Sequence, residues 1–254
     1  MTDRPPEARV RAVVLDIEGT TTPIAFVHQV LFPYARARLR AWVDDPANAA
    51  DLAVVSRRLA TEHAIDLSRG ERPPSWDSSA SSVDDDAARS GLVAYAEWLM
   101  DRDRKSPGLK LMQGLIWERG YQAGELRGQV YPDVAPALRR WHAQGLRLAI
   151  YSSGSALTQR RLFESTGDGD LTPLLSAHFD TAVGAKGEPA SYTNIAAALE
   201  LEPASILFVS DVVRELEAAR TAGLHVVLCV RPDNPAQSGA DAFDQVSDLG
   251  QIEV

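Results

Sequence analysis

Three stretches of this chain end in the same way, and that ending limits what the chain can fold into. In VVLDIEGTTTPI (Val13 to Ile24), AIYSSGS (Ala149 to Ser155) and ILFVSDVVRE (Ile206 to Glu215), a run of aliphatic residues breaks off at Asp16, Ser152 or Asp211. The runs are too continuous for strands with one wet face. They read as parallel strands buried on both faces, each delivering polar side chains to one edge of a sheet. In open α/β sheets that carboxyl edge is where ligands bind.

The rest of the chain fits the same architecture. Strand-like runs at Val10 to Leu15, Leu146 to Tyr151, Ile206 to Ser210 and His225 to Val230 alternate with helical patterns at Ser155 to Ser165, Tyr192 to Leu199 and Val213 to Ala222. Strand and helix in alternation predict right-handed crossovers onto a parallel sheet. Residues 25–129 are different, with helix-period aliphatics at Val30 to Val43, Leu52 to His63, Leu92 to Met100 and Leu109 to Ala123. The Pro, Ser and Asp rich segment Glu71 to Gly91 reads as an exposed loop. Tyr131 to Gly145 supplies a turn and a helix that lead back to the next strand. The simplest account is an α/β core of residues 1–24 and 130–254, with a helical unit of residues 25–129 inserted after the first strand.

Composition excludes some partners. A net charge of −9 argues against nucleic acid or an anionic membrane as a main partner. The beginning, MTDRPPEARV, lacks the regions of a signal peptide, and no apolar run approaches membrane length. The single cysteine, Cys229, can form no internal disulfide, which fits a reducing cytoplasm. Of the 26 basic residues only three are lysines, at 105, 110 and 186, so each raises the question of what a compact ammonium does there.

The strand ends carry candidate chemistry. Asp16 could attack phosphorus as a carboxylate nucleophile, and Glu18 could protonate the departing alkoxide and later take a proton from water. Seen alone, Asp16 and Glu18 favour that chemistry only modestly over a strand end followed by a cap. Ser152 and Ser153 precede Gly154 and a helix, where hydroxyls and backbone N–H groups receive phosphate; serine is also the commonest helix cap. Lys186 stands in a loop between Gly184 and Gly187 and could neutralise phosphate oxygens. Asp211, with Glu215 one helical turn later, suits Mg²⁺, which needs only one or two carboxylates beside substrate phosphate and water.

In chain order, Asp16 and Glu18, the serines, Lys186 and Asp211 resemble the haloacid dehalogenase superfamily of aspartate-nucleophile phosphohydrolases. DIEGTTTPIAFV, DRDRKSPGLKLMQGLIWERGY, YPDVAPALRRW, IYSSGS and SDVVRELEAA are similar to the enolase-phosphatase (acireductone synthase) family of methionine salvage. The resemblance runs from about Val13 to Pro232 and includes the inserted unit. Glu18, where most of the superfamily carries Asp, is a mark of that family. The resemblance implies a Rossmann-like parallel sheet core with an inserted all-helical cap. It implies an enzyme that enolises a phosphorylated diketone of five carbons bearing a methylthio group, then removes its phosphate to release the acireductone.

By motif, Asp16 would be nucleophile and metal ligand. Glu18 would be acid and base, and would bind Mg²⁺ through its main-chain carbonyl. Asp211 would complete the protein ligands of one Mg²⁺ per chain. Ser152, Ser153 and Lys186 would hold the phosphate. The family also implies a cytoplasmic monomer, with a cap that closes over the site and grips the methylthio end through side chains such as Leu115, Ile116 and Trp117. Lys105 and Lys110 are further candidates to face the cleft.

Two other readings compete. A superfamily phosphatase acting on another small phosphate monoester would share every one of these residues. A receiver-like signalling domain also holds an aspartyl phosphate with acids, a hydroxyl and a lysine, but carries no helical insert after its first strand. Dehalogenase chemistry is disfavoured, because displacement at carbon needs neither two acids nor metal-type ligands.

Overall fold

The structure is a computed structural model that describes residues 9–77 and 86–254. The first eight residues, including most of the segment read for a signal peptide, and part of the Pro, Ser and Asp rich stretch therefore lie outside it.

The chain divides into two compact units, one of residues 1–27 and 124–254 and the other of residues 28–123. The first holds a six-stranded, all-parallel sheet of β1 (Ala12–Leu15), β2 (Arg147–Tyr151), β3 (Ala177–Phe179), β4 (Ile206–Ser210), β5 (His225–Cys229) and β6 (Gln245–Val246). Its strand order is β3-β2-β1-β4-β5-β6, with every pairing parallel. The order reverses at β1, which lies between β2 and β4, so β1 stands at the topological switch point.

All four residues of β1 and all five of β4 are buried, which is why both read as unbroken aliphatic runs. Leu15 pairs with Ile150 on one side and Val209 on the other, so Asp16, Ser152 and Asp211 leave the sheet at one edge. One layer of the core packs Tyr151, Tyr192, Ile195, Phe208 and Leu216 on that sheet.

In chain order the helices are α1 (Ile24–Phe26), α2 (Phe32–Asp44), α3 (Ala49–Ser68), α4 (Asp86–Met100), α5 (Pro107–Gln122), α6 (Val134–Ala143), α7 (Ala156–Glu164), α8 (Pro189–Ala198) and α9 (Val213–Thr221). A five-residue π-helical segment, Val27–Leu31, joins α1 to α2. The second unit is built from α2 to α5. Leu39, Leu59, Leu92, Leu99 and Met112 form its dry centre. There the buried Asp66 accepts a hydrogen bond from Tyr95 Oη at 2.7 Å and pairs with Arg104 at 2.6 Å.

Three readings need correction. The exposed loop assigned to Glu71 to Gly91 gives way to α4 from Asp86 onward, where Ala88 and Gly91 are buried. The helix reverts because its apolar face has a partner: Gly91 packs on Trp76, a contact no local composition reveals. β3 and β6 escaped notice as strands, since three and two residues are too few to show periodicity. The units divide at 27/28 and 123/124, whereas the sequence reading placed the junctions at 24/25 and 129/130.

One strand residue makes stability depend on pH. His178, on β3, has a buried Nδ1 with no hydrogen-bond partner among the described residues. Burial, helped by the charge of Arg160, holds its pKa down at about 4. The unfolded chain takes up that proton near pH 6.5, so protonation favours unfolding as pH falls from about 6.5 towards 4. Urea denaturation at pH 4.5 and 7.5 should show His178→Gln losing less stability on acidification than the parent chain; equal losses would contradict this.

Candidate active site

Asp16 continues the sheet by one residue, its N–H donating to Val209 O at 3.0 Å. The chain then turns within six residues. The N–H groups of Thr20, Thr21 and Thr22 all point to Ile17 O, at 3.2, 3.0 and 2.8 Å, and Gly19 N–H closes the loop on Thr22 O at 2.9 Å. Thr21 Oγ1 donates to Asp16 O at 2.9 Å. Gly19 has φ +69°, and a Cβ built there would lie 2.2 Å from Asp211 Oδ2. Glycine therefore meets two demands, a left-handed backbone and the close approach of the carboxylate that ends β4.

Lys186 reaches this turn from the loop between β3 and α8. Its Nζ lies 2.7 Å from Asp16 Oδ1 and 2.5 Å from Glu215 Oε2, and all three side chains are largely buried. Three hydroxyls fix the loop that presents it. Tyr151 donates to Gly184 O at 3.0 Å, Ser191 to Ala185 O at 2.7 Å and Tyr192 to Lys186 O at 2.7 Å. Three consecutive carbonyls of the loop are thus tied to residues of β2 and α8. At Gly184, φ is +132° and an added Cβ would strike the Ser191 hydroxyl.

Ser210, the last residue of β4, links the acids. Its Oγ lies 3.2 Å from Asp16 Oδ2 and 2.9 Å from Glu215 Oε2, so its single proton is contested by two carboxylates.

The electrostatics follow from the count. Asp16, Asp211 and Glu215, when ionised, set three negative charges against the one positive charge of Lys186, an excess of two in a buried cluster. Burial, then the charges of Asp16 and Glu215, push Asp211 up to about 7. Burial and the charge of Asp16 also raise Glu215, against the pull of Lys186 and Ser210. Burial alone would lower Lys186, but its two carboxylate partners outweigh that and hold it well above the usual lysine value.

Of the residues singled out in the sequence, Asp16, Lys186 and Asp211 come together. Glu18 is exposed on the turn. Ser152 and Ser153 stand at the end of β2 beside β1, where Ser152 Oγ accepts from Gly154 N–H at 3.2 Å. Neither serine caps α7; Ser155 does, accepting from Thr158 N–H at 3.2 Å. Among the described residues no three His, Cys, Asp or Glu side chains are gathered as a cation cage. A cation at this edge therefore needs main-chain oxygen, phosphate or water besides the carboxylates, and an oxygen-only donor set of that kind suits a hard divalent ion.

A model of the haloacid dehalogenase-like hydrolases matches residues 10–223. Enolase-phosphatase E1 of Synechococcus elongatus (strain ATCC 33912 / PCC 7942 / FACHB-805) is 48% identical over 229 residues, covering 89% of this chain and 90% of its own. The chain belongs to the enolase-phosphatase E1 family of haloacid dehalogenase-like hydrolases. The enolase-phosphatase E1 of Serratia proteamaculans (strain 568) is 44% identical over 246 residues, covering 96% of this chain and 99% of its own. Among solved structures, the UTR4 protein of Saccharomyces cerevisiae superposes with a TM-score of 0.72 at 29% identity, over 96% of this chain and 100% of that one.

Sequence reading gave Glu215 no role beyond proximity to Asp211, and it missed Ser210 and Asn234. Asn234 Nδ2 donates to Gly19 O at 2.8 Å and to Asp211 Oδ2 at 3.2 Å. The available signal was HVVLCV followed by the polar turn RPDN, another strand that stops at polar residues.

Replacing Gly19 tests the packing of the turn. Gly19→Ala forces a left-handed alanine, at about 1 to 2 kcal/mol, and displaces Asp211. The thermal midpoint should fall by a few degrees while turnover falls at least tenfold; turnover unchanged beside a lowered midpoint would show that Asp211 is not held where the turn places it.

Proposed function

We propose that this family member carries out both steps on the diketone phosphate, enolisation and then hydrolysis of the phosphate ester, with release of the acireductone. The observation that carries the reading is the Lys186 bridge from Asp16 to Glu215 at a parallel sheet's switch point.

Asp16 is the nucleophile. Lys186 Nζ holds one oxygen of its carboxylate, and Ser210 Oγ lies against the second. An Asp16 oxygen attacks phosphorus, the bond from phosphorus to the alkyl oxygen breaks, and exposed Glu18 gives the departing alkoxide its proton. Glu18 then takes a proton from water as that water attacks the aspartyl phosphate, which releases phosphate and restores Asp16. Lys186 neutralises charge on the transferring oxygens, and Ser152 and Ser153, with the N–H groups following β2, receive the remaining ones. In the enolisation a base must remove a carbon-bound proton while the adjacent carbonyl is polarised, and Glu18 is the economical assignment for that base.

One Mg²⁺ per chain would be held by Asp16, Asp211 and the main-chain carbonyl of Glu18, an oxygen donor set that suits a hard divalent ion. When bound, the ion would polarise carbonyl and phosphoryl oxygens and offset the repulsion between nucleophile and phosphate. The excess of two negative charges that the cluster carries when its acids are ionised supports a divalent cation as its partner.

Lowering the barrier to phosphate monoester hydrolysis takes about 20 kcal/mol or more, whereas a single preorganised donor supplies about 3 to 4 kcal/mol. Nucleophile, ammonium, hydroxyls, amides and cation must therefore act together. We take the insert of residues 28–123 to be the cap of the enzyme. The same reading makes it a monomeric cytoplasmic enzyme with a small-molecule substrate; the net charge of −9 and the lone Cys229 are its support. Among the described residues no helix is long and apolar enough to cross a membrane.

With the diketone phosphate and Mg²⁺, ultraviolet absorbance of the enediol should rise together with free phosphate. Asp16→Asn should abolish phosphate release with the fold retained by circular dichroism. Phosphate release without any enediol would point to a simple phosphatase, and substantial release by Asp16→Asn would remove Asp16 as the nucleophile.

A further inference from the structure

The turn that follows β5 reaches into the catalytic turn with two side chains. Arg231 N–H groups and Asn234 N–H groups meet two consecutive carbonyls there, those of Thr20 and Gly19. The turn is closed by Asn234 N–H donating to Arg231 O at 3.1 Å, with Pro232 at its first central position.

Arg231 is buried, at 3% exposure. Its Nε and Nη2 donate to Thr20 O at 3.1 and 2.8 Å. Nη1 and Nη2 form a two-pronged pair with Asp133 at 2.9 Å each, and Nη1 also donates to Ser247 O at 2.9 Å. These five contacts use all five N–H donors of a guanidinium. Lysine could not reproduce them, because its three donors radiate from one atom. Asp133 is fixed in turn by Leu249 N–H at 2.7 Å, and the Tyr131 ring covers the guanidinium at 4.1 Å.

Asn234 spends both amide hydrogens on Gly19 O and Asp211 Oδ2. The reverse orientation of the amide would set its oxygen against a carbonyl and a carboxylate, both acceptors, so the amide can face only one way. It ties the catalytic turn after β1 to the acid after β4, the two strand ends that must stay in register for phosphoryl transfer.

We propose that Arg231 and Asn234 are positioning residues for that transfer: from one turn they lock the backbone between Asp16 and Thr22 and aim the Asp211 carboxylate. The inference rests on the reading of Asp16 and Asp211 as the reacting and cation-holding acids. A residue that orients a metal-binding carboxylate typically changes metal affinity or activity by about 10- to 100-fold when removed.

The test uses the full chain, with Mn²⁺ as probe and its free fraction read by electron paramagnetic resonance, without substrate. Asn234→Ala should weaken Mn²⁺ binding about tenfold or more and lower kcat by a similar factor, while KM for the diketone phosphate moves much less. Losses below threefold in both Mn²⁺ affinity and kcat, even beside a lowered thermal midpoint, would reduce Asn234 to a packing role and overturn the proposal; larger losses in either support it. Arg231→Lys, which keeps the charge but not the fork, should lower kcat at least threefold with Mn²⁺ still bound, and wild-type kcat in that variant would overturn the role of Arg231. Asp211→Asn separates the two levels. If it binds Mn²⁺ as tightly as the parent, the reading of the site fails; if it loses Mn²⁺ while Asn234→Ala keeps both Mn²⁺ affinity and kcat within threefold of the parent, only the positioning proposal fails.

Discussion

The bridge that Lys186 makes from Asp16 to Glu215 is the interaction on which the site depends. Three carboxyl groups brought to one buried sheet edge repel each other, and burial penalises each charge further. A single ammonium, at 2.7 and 2.5 Å from two of them, is what lets the strand ends converge. The protein spends much local structure on that ammonium: three hydroxyls on consecutive carbonyls of its loop, and a glycine that admits Ser191. Loss of the charge would leave acids buried without compensation, which costs more than the pair itself contributes.

The fold serves this convergence by register. β1 lies between β2 and β4 with Leu15 level with Ile150 and Val209, so polar residues that follow each strand emerge side by side. The ladder fixes direction, and local turns fix position: Ile17 O gathers three N–H groups, and Gly19 lets the turn pass against Asp211. The turn after β5 then adds its own hold on Gly19 and Thr20, from across the sheet edge.

How much of this could be read in the sequence varied with how local each cause is. Continuous aliphatic runs announce themselves, so β1, β2, β4 and β5 are legible within a residue or two at either end, and the acids and serines at the ends of β1, β2 and β4 come with them. The rarity of lysine singles out Lys186 independently of its contacts. β3 and β6 were too short to show a period. The start of α4 was hidden because its helical state depends on packing against Trp76. Arg231 and Asn234 read as an ordinary turn, since their meaning comes from β5 lying beside β4, a fact of topology. Glu215 was visible as an acid in a first helical turn, but its bond to Lys186 links residues 29 positions apart and no spacing rule predicts it.

If Asp16 is the nucleophile, the carboxylate held by Lys186 forms the covalent bond to phosphorus. Rapid acid quench of a single turnover with ³²P-labelled diketone phosphate, followed by peptide mapping, measures it directly. A transient, hydroxylamine-sensitive phosphoryl group is expected on the peptide that carries Asp16, formed and lost at rates that sustain turnover. Label on another residue, or phosphate released with no labelled protein at any time during the turnover, would contradict it.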